Sequence, residues 1–150
     1  MKKALTLGLL ALTTSGPALA RDTVYRIPLA EVLAMPEAKT KLDGTVKFYL
    51  AGQKTPTPFE TLGSDVANKK TSGVGKEDTE GCRWAALSAL MALQASAKKQ
   101  GADAVIDIVS YYKKNEVESA TEIECHAGAV VIGVALKGTY AKLRAPTTAR

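Results

Sequence analysis

The stretch from Asp78 to Gln100 limits the fold most, because it is the longest segment with helical periodicity. Asp78 or Thr79 can cap its start, and Gly101 supplies a stop residue. At about 100° per residue, Cys82, Ala86, Leu90, Leu93 and Ala97 form one apolar stripe. Trp84, Leu87, Met91 and Ala95 form a second stripe on another side. A helix that is apolar on two sides needs two covers. A sheet is the expected cover for the first, and an N-terminal helix or a second copy of the chain for the other.

Short β-type runs lie on either side of this helix. Val46 to Leu50 alternates Phe48 and Leu50 against Lys47 and Tyr49, and Phe59 to Asn68 is a weaker run. Gln53 to Pro58 reads as a Pro-Thr loop and Lys69 to Asp78 as a polar, Gly-containing one. After the helix, Ala104 to Tyr112 is rich in Val and Ile. Strand alternation puts Ala104, Ile106 and Ile108 on one face and Val105, Asp107 and Val109 on the other. Lys113 to Ser119 turns the chain, and Thr121 to about Leu136 reads as one long closing strand, bulged near Gly128 or Gly133. Ile123, Cys125, Ala127 and Val131 share one of its faces; Glu122, Glu124 and His126 share the other. Residues 23–42 read as a helical preface, with Leu29, Val32 and Leu33 at helical spacing and Pro36 restarting the helix. The expected fold is therefore α+β: a two-layer sandwich of a small, mostly antiparallel sheet (β-β-α-β-β) with one long helix on one face.

The first twenty residues read as a cleaved secretory signal. Met1-Lys2-Lys3 is basic, Ala4 to Leu12 is largely apolar, and Ala18-Leu19-Ala20 follows the helix-breaking Ser15-Gly16-Pro17. The apolar run is too short to span a bilayer, and no Cys stands at the cut site to carry a lipid. The expected organisation is signal 1–20, helical extension 21–44, one domain 45–143 and a tail 144–150, in the periplasm.

A chain of 150 residues with 46% hydrophobic content can hold one packed domain, and 12 Gly with 6 Pro exclude a low-complexity one. Removing Lys2 and Lys3 leaves eighteen basic against fifteen acidic side chains, a net +3. That excess does not point to nucleic acid. The lysine pairs Lys69-Lys70, Lys98-Lys99 and Lys113-Lys114 are solvated ends of elements or contacts to an anionic envelope surface. The partner classes expected are an envelope protein, such a surface, or a second copy.

Little in the chain points to catalysis. Gly73-Val74-Gly75-Lys76 departs from a phosphate loop at Lys70, where Gly is required, and at Glu77, where Ser or Thr would hold magnesium. His126 is the single His, and no Gly-x-Ser-x-Gly elbow or C-x-x-C pair is present. No catalytic or cofactor-binding residue is assigned. Glu122, Glu124 and His126 are the candidate metal ligands, aligned at i, i+2 and i+4. Successive members stand about 6.5–7 Å apart along a strand, so one ion reaches all three only across a bulge.

The two cysteines suggest a bridge. In an oxidising compartment two thiols in one small domain usually pair. Cys82 lies in the first helical turn and Cys125 on the inward face of the last strand, so a disulfide forms if the two are directly opposed. The alternative is a pair of separate buried thiols.

Several segments carry a family resemblance: Leu62-Gly63, the Ala-rich helix, Gly101-Ala102-Asp103-Ala104-Val105 and Gly133-Val134-Ala135-Leu136. Their order resembles that in the stress-sensing outer-membrane lipoprotein of the Rcs system and in the YbjQ-like proteins, which are named as heavy-metal binders. With Tyr111 to Asn115 and Glu124 to Gly128, the chain is also similar to small secreted bacterial proteins that carry an "excinuclease ATPase subunit" label. No phosphate loop accompanies that label here. The resemblance covers about residues 45–138 and implies a β-β-α-β-β fold with the helix on one sheet face. This chain lacks the lipid-bearing Cys of the Rcs lipoprotein and has two Cys where that domain has four, so no functional residue is carried over. The reading expected is a non-catalytic periplasmic interaction or sensor module; the alternative is a periplasmic metal-binding module.

Overall fold

A computed structural model of the chain describes residues 20–57 and 59–145. The expected signal peptide, apart from Ala20, and the tail beyond residue 145 lie outside these residues. The fold is α+β, a six-stranded mixed sheet with one long helix against it. In chain order the elements are β1 (Thr23–Pro28), α1 (Leu29–Ala34), α2 (Pro36–Lys41), β2 (Lys47–Leu50), β3 (Phe59–Ser72), α3 (Asp78–Lys99), β4 (Ala104–Ser110), a 3₁₀ turn (Tyr112–Lys114), β5 (Glu122–Ala127) and β6 (Val131–Leu143).

β6 organises the sheet. β3 pairs along one of its edges from Val131 to Leu143, while β5 and β4 meet the other edge one after the other. β1 extends the sheet beyond β5, and β2 extends it beyond β4 in the parallel sense. All other pairs are antiparallel. The inward residues of β6, Ile132, Val134, Leu136 and Tyr140, join Leu87, Leu90 and Leu93 of α3 in one buried cluster. Each fully buried Leu, Ile or Val contributes roughly 1.5–3 kcal/mol by leaving water, before conformational entropy is set against it. Gly138 keeps β6 close to β4, since a Cβ there would lie 2.6 Å from Val105 Cγ1.

The N-terminal segment differs from the expected helical preface. Residues 23–28 form a strand whose Tyr25 and Ile27 turn inward and whose Val24 and Arg26 pair with His126 and Glu124. Helix begins only at Leu29, and Pro36 occupies the first turn of α2, where its missing N–H costs nothing. The extension is thus part of the sheet and of the core, with Ile27, Leu29 and Val32 buried in the main cluster.

Three strand expectations also change. β3 runs on to Ser72, because the polar residues 69–72 lie on a sheet edge where only alternate side chains meet the core. In β4 the strict alternation breaks at Asp107, whose φ of 50° makes a bulge. Val105 and Ile108 therefore share the main core, and Ile106 turns to a smaller cluster with Ala104 and Ala141. The closing strand is two strands. The chain reverses at Gly128–Val130, where the Gly128 N–H donates to the Val131 carbonyl at 2.8 Å. The reversal resets the alternation, so Val131 is exposed and does not share the inward face of Cys125.

The helix start and its second stripe need correction too. Glu77 is the N-cap and makes no side-chain cap; Asp78 lies in the first turn and accepts from Tyr25 Oη at 2.9 Å and from Arg21. Its charge there complements the helix dipole. Of the second stripe only Leu87 is buried. Trp84 and Met91 are half-buried and Ala95 is exposed, so that stripe is covered in part.

Candidate functional site: the surface around His126

His126 sits on β5, on the sheet face turned away from α3. Its neighbours Cys125 and Ala127 point into the core, so strand alternation alone sets its direction. Its Nδ1 lies 2.9 Å from Asp22 Oδ1, just before β1, and its Nε2 lies 2.8 Å from Glu124 Oε1 on its own strand. Arg26 Nη2, across the β1–β5 ladder, is 3.4 Å from the other oxygen of Glu124. Lys113 Nζ stands 3.8 Å from Asp22 Oδ2. The imidazole face is occupied as well, stacked on Tyr112.

The 3₁₀ turn carries Tyr112 to this place. The Tyr111 N–H donates to the Ala135 carbonyl, and Ser110 Oγ accepts from the Glu124 N–H at 2.8 Å. Lys113 and Lys114 follow with φ of 51° and 66°. Around them lies an open groove of about 510 Å³, bordered by Asp22, Lys70, Tyr112, Lys113, His126 and Gly133.

The structure brings together Glu124 and His126 but not Glu122, which pairs with Pro28 and makes none of the His126 contacts. Asp22, Arg26 and Tyr112 complete the group and were not singled out from the sequence. Asp22 and Glu124 approach opposite nitrogens of one ring. A metal ion on either nitrogen would keep one of these carboxylates within reach and displace its present contact. Among the described residues no three His, Cys, Asp or Glu side chains converge as a metal site.

Cys82 and Cys125 form a disulfide with Cα atoms 5.7 Å apart, and both are fully buried. It fastens the N-terminal part of α3 to β5 directly behind Glu124 and His126. Elsewhere, titration shifts belong to groups in structural contacts. Burial pushes the Tyr140 phenol above its ordinary value; Asp65 adds to the rise and Ser96 opposes it. At Asp103 burial acts upward, but the Leu143 N–H and Lys142 outweigh it and hold the carboxyl below its ordinary value. The hydrogen bond and charge of Glu116 raise Lys137. No helix among the described residues is long and apolar enough to cross a membrane.

No family model matches the chain, and no curated protein does. Among solved structures it is similar to a DUF74-family protein of unknown function from Pediococcus pentosaceus ATCC 25745. Identity is 12%, the match covers 65% of this chain and 98% of that one, and the TM-score is 0.42. A likeness at that level carries no argument about function.

Proposed function

We propose that this chain is a non-catalytic module of the bacterial periplasm, exported by its N-terminal signal, which acts by interaction or sensing. The engagement of His126 carries the reading. Both ring nitrogens face carboxylates and one ring face is stacked, so the single imidazole is committed to holding β1, β5 and the 3₁₀ turn together. A general base needs a nitrogen within reach of a substrate proton, and here that nitrogen would first have to leave a carboxylate. The buried disulfide supports the compartment, since such bridges persist where the medium is oxidising.

The competing reading is a periplasmic metal-binding module, favoured by the two carboxylates that flank His126. Thermal melts with zinc, copper or nickel separate the two, because a ligand that binds only the folded state raises its melting temperature. The interaction reading expects no shift. A shift that disappears in His126→Ala would replace it with the metal reading. Reproducible hydrolysis lost on one point mutation would remove the non-catalytic reading.

A further inference from the structure

Among the described residues, β3 leaves one edge unpaired along its length. β6 has two edges, of which β3 takes one while β5 and β4 share the other. Backbone bonds set the phase of the ladder. The carbonyls of Val131, Ala135 and Ala141 accept from Gly128, Tyr111 and Asp103, so odd-numbered residues of β6 turn toward β5 and β4. Even-numbered residues turn toward β3, and the Gly73 N–H continues that ladder to the Val130 carbonyl. Ala67, Lys69 and Thr71 therefore bond β6 through Leu136, Val134 and Ile132. Ser64, Val66, Asn68 and Lys70 turn their N–H and C=O groups away from the sheet. On that edge the Val66 N–H is held by Asp65 Oδ1 at 2.8 Å. Beyond the irregularity at Thr61–Gly63, β3 has neither a bulge nor a Pro, and such an edge is a template for another strand.

We infer that β3 pairs antiparallel with β3 of a second copy about a two-fold axis at Ala67. Phase and charge select this register. With the axis at Ala67, Val66 meets Asn68 and Ser64 meets Lys70 of the second copy, all with outward backbone groups. Asp65 then stands directly opposite Lys69 of the second copy, and symmetry repeats the pair. An axis at Asp65 sets that carboxylate against itself. Axes at Val66 or Asn68 leave it opposite Ala67 or Thr71 with no cation. In the Ala67 register the partner's backbone replaces Asp65 at the Val66 N–H and frees Oδ1 for lysine, while Oδ2 keeps its 3.5 Å contact with Tyr140 Oη.

The second layer fits the same axis. α3 lies over β3 and β6, and strands stand about 4.8 Å apart, so the two α3 helices come about 10 Å from each other on one face. That is the distance at which helices pack. Ala92 and Ser96, beside β3, and the exposed Ala95 are small enough to permit it.

Sedimentation of the processed full chain over about 1–500 μM tests the pairing. The wild type should show a monomer–dimer equilibrium. Asn68→Pro removes an outward N–H without touching the β6 ladder and should be monomeric with an unchanged circular dichroism spectrum. Asp65→Lys should weaken the dimer roughly tenfold, and adding Lys69→Asp should restore it. This charge-swap pair keeps the inference testable if the Pro variant fails to fold. A wild type that stays monomeric, a folded Asn68→Pro that dimerises like it, or a double swap that does not recover overturns the inference.

Discussion

The His126 imidazole lies flat on the Tyr112 phenol, with ring centroids 3.5 Å apart and planes 12° from parallel. This contact pins a turn whose next two residues, Lys113 and Lys114, hold left-handed backbone conformations that lysine rarely adopts. The turn keeps its shape because Tyr111 is bonded to β6 and Tyr112 is stacked at its start, while beyond it Val117 pairs with Ser110.

Tyr112→Ala should release the turn while the sheet remains. The expected loss of stability is about 1 kcal/mol, the scale of one aromatic stack. Hydrogen exchange should quicken at residues 111–117 and stay slow in β6. Unchanged protection of that turn would show that the stack does not hold it.

The disulfide closes a loop with a sequence separation of 43 and joins two fully buried residues. On the chain-entropy model it adds about 4 kcal/mol, a large part of a typical domain's 5–15 kcal/mol. Replacing Cys82 and Cys125 together by Ala should lower the urea midpoint accordingly, with α3 still helical by circular dichroism. A midpoint within error of the wild type would mean that hydrophobic burial around α3 is sufficient alone.

Tyr140 makes stability fall at high pH. Burial favours its neutral form, with Asp65 adding to the effect, so its folded value lies above that of the unfolded chain. Its contribution is full below the unfolded value of about 10 and declines as pH rises through the folded value. In a titration followed by tyrosinate absorbance, one phenol should ionise later than the others, together with unfolding. Tyr140→Phe should flatten the alkaline limb of the stability curve. Five phenols ionising together before unfolding would contradict this.

What could be read in advance depended on how local the cause was. α3 carries its own signals, apolar stripes and the stop at Gly101, whose φ of 74° suits glycine. Leu29, Val32 and Leu33 carry a helical spacing that is realised in α1, but it does not bear on residues 23–28, which pairing with β5 makes a strand. The reversal at Gly128–Val130 was hidden because Ala129-Val130-Val131 continues the apolar run. The bulge at Asp107 answers to the register with β6, which no local pattern records. At the site, alternation on β5 correctly put Glu124 and His126 on one face. Asp22 lies more than a hundred positions away in sequence and reaches His126 only through the β1–β5 ladder, so nothing near His126 announced it.

Intact mass and thiol trapping after cell fractionation test most directly whether the disulfide-braced chain works outside the cytoplasm. The prediction is a periplasmic species that begins at Arg21 and takes up no alkylating reagent until it is reduced. A chain retaining Met1 to Ala20 in the cytoplasmic fraction, with Cys82 and Cys125 both alkylated, would contradict it.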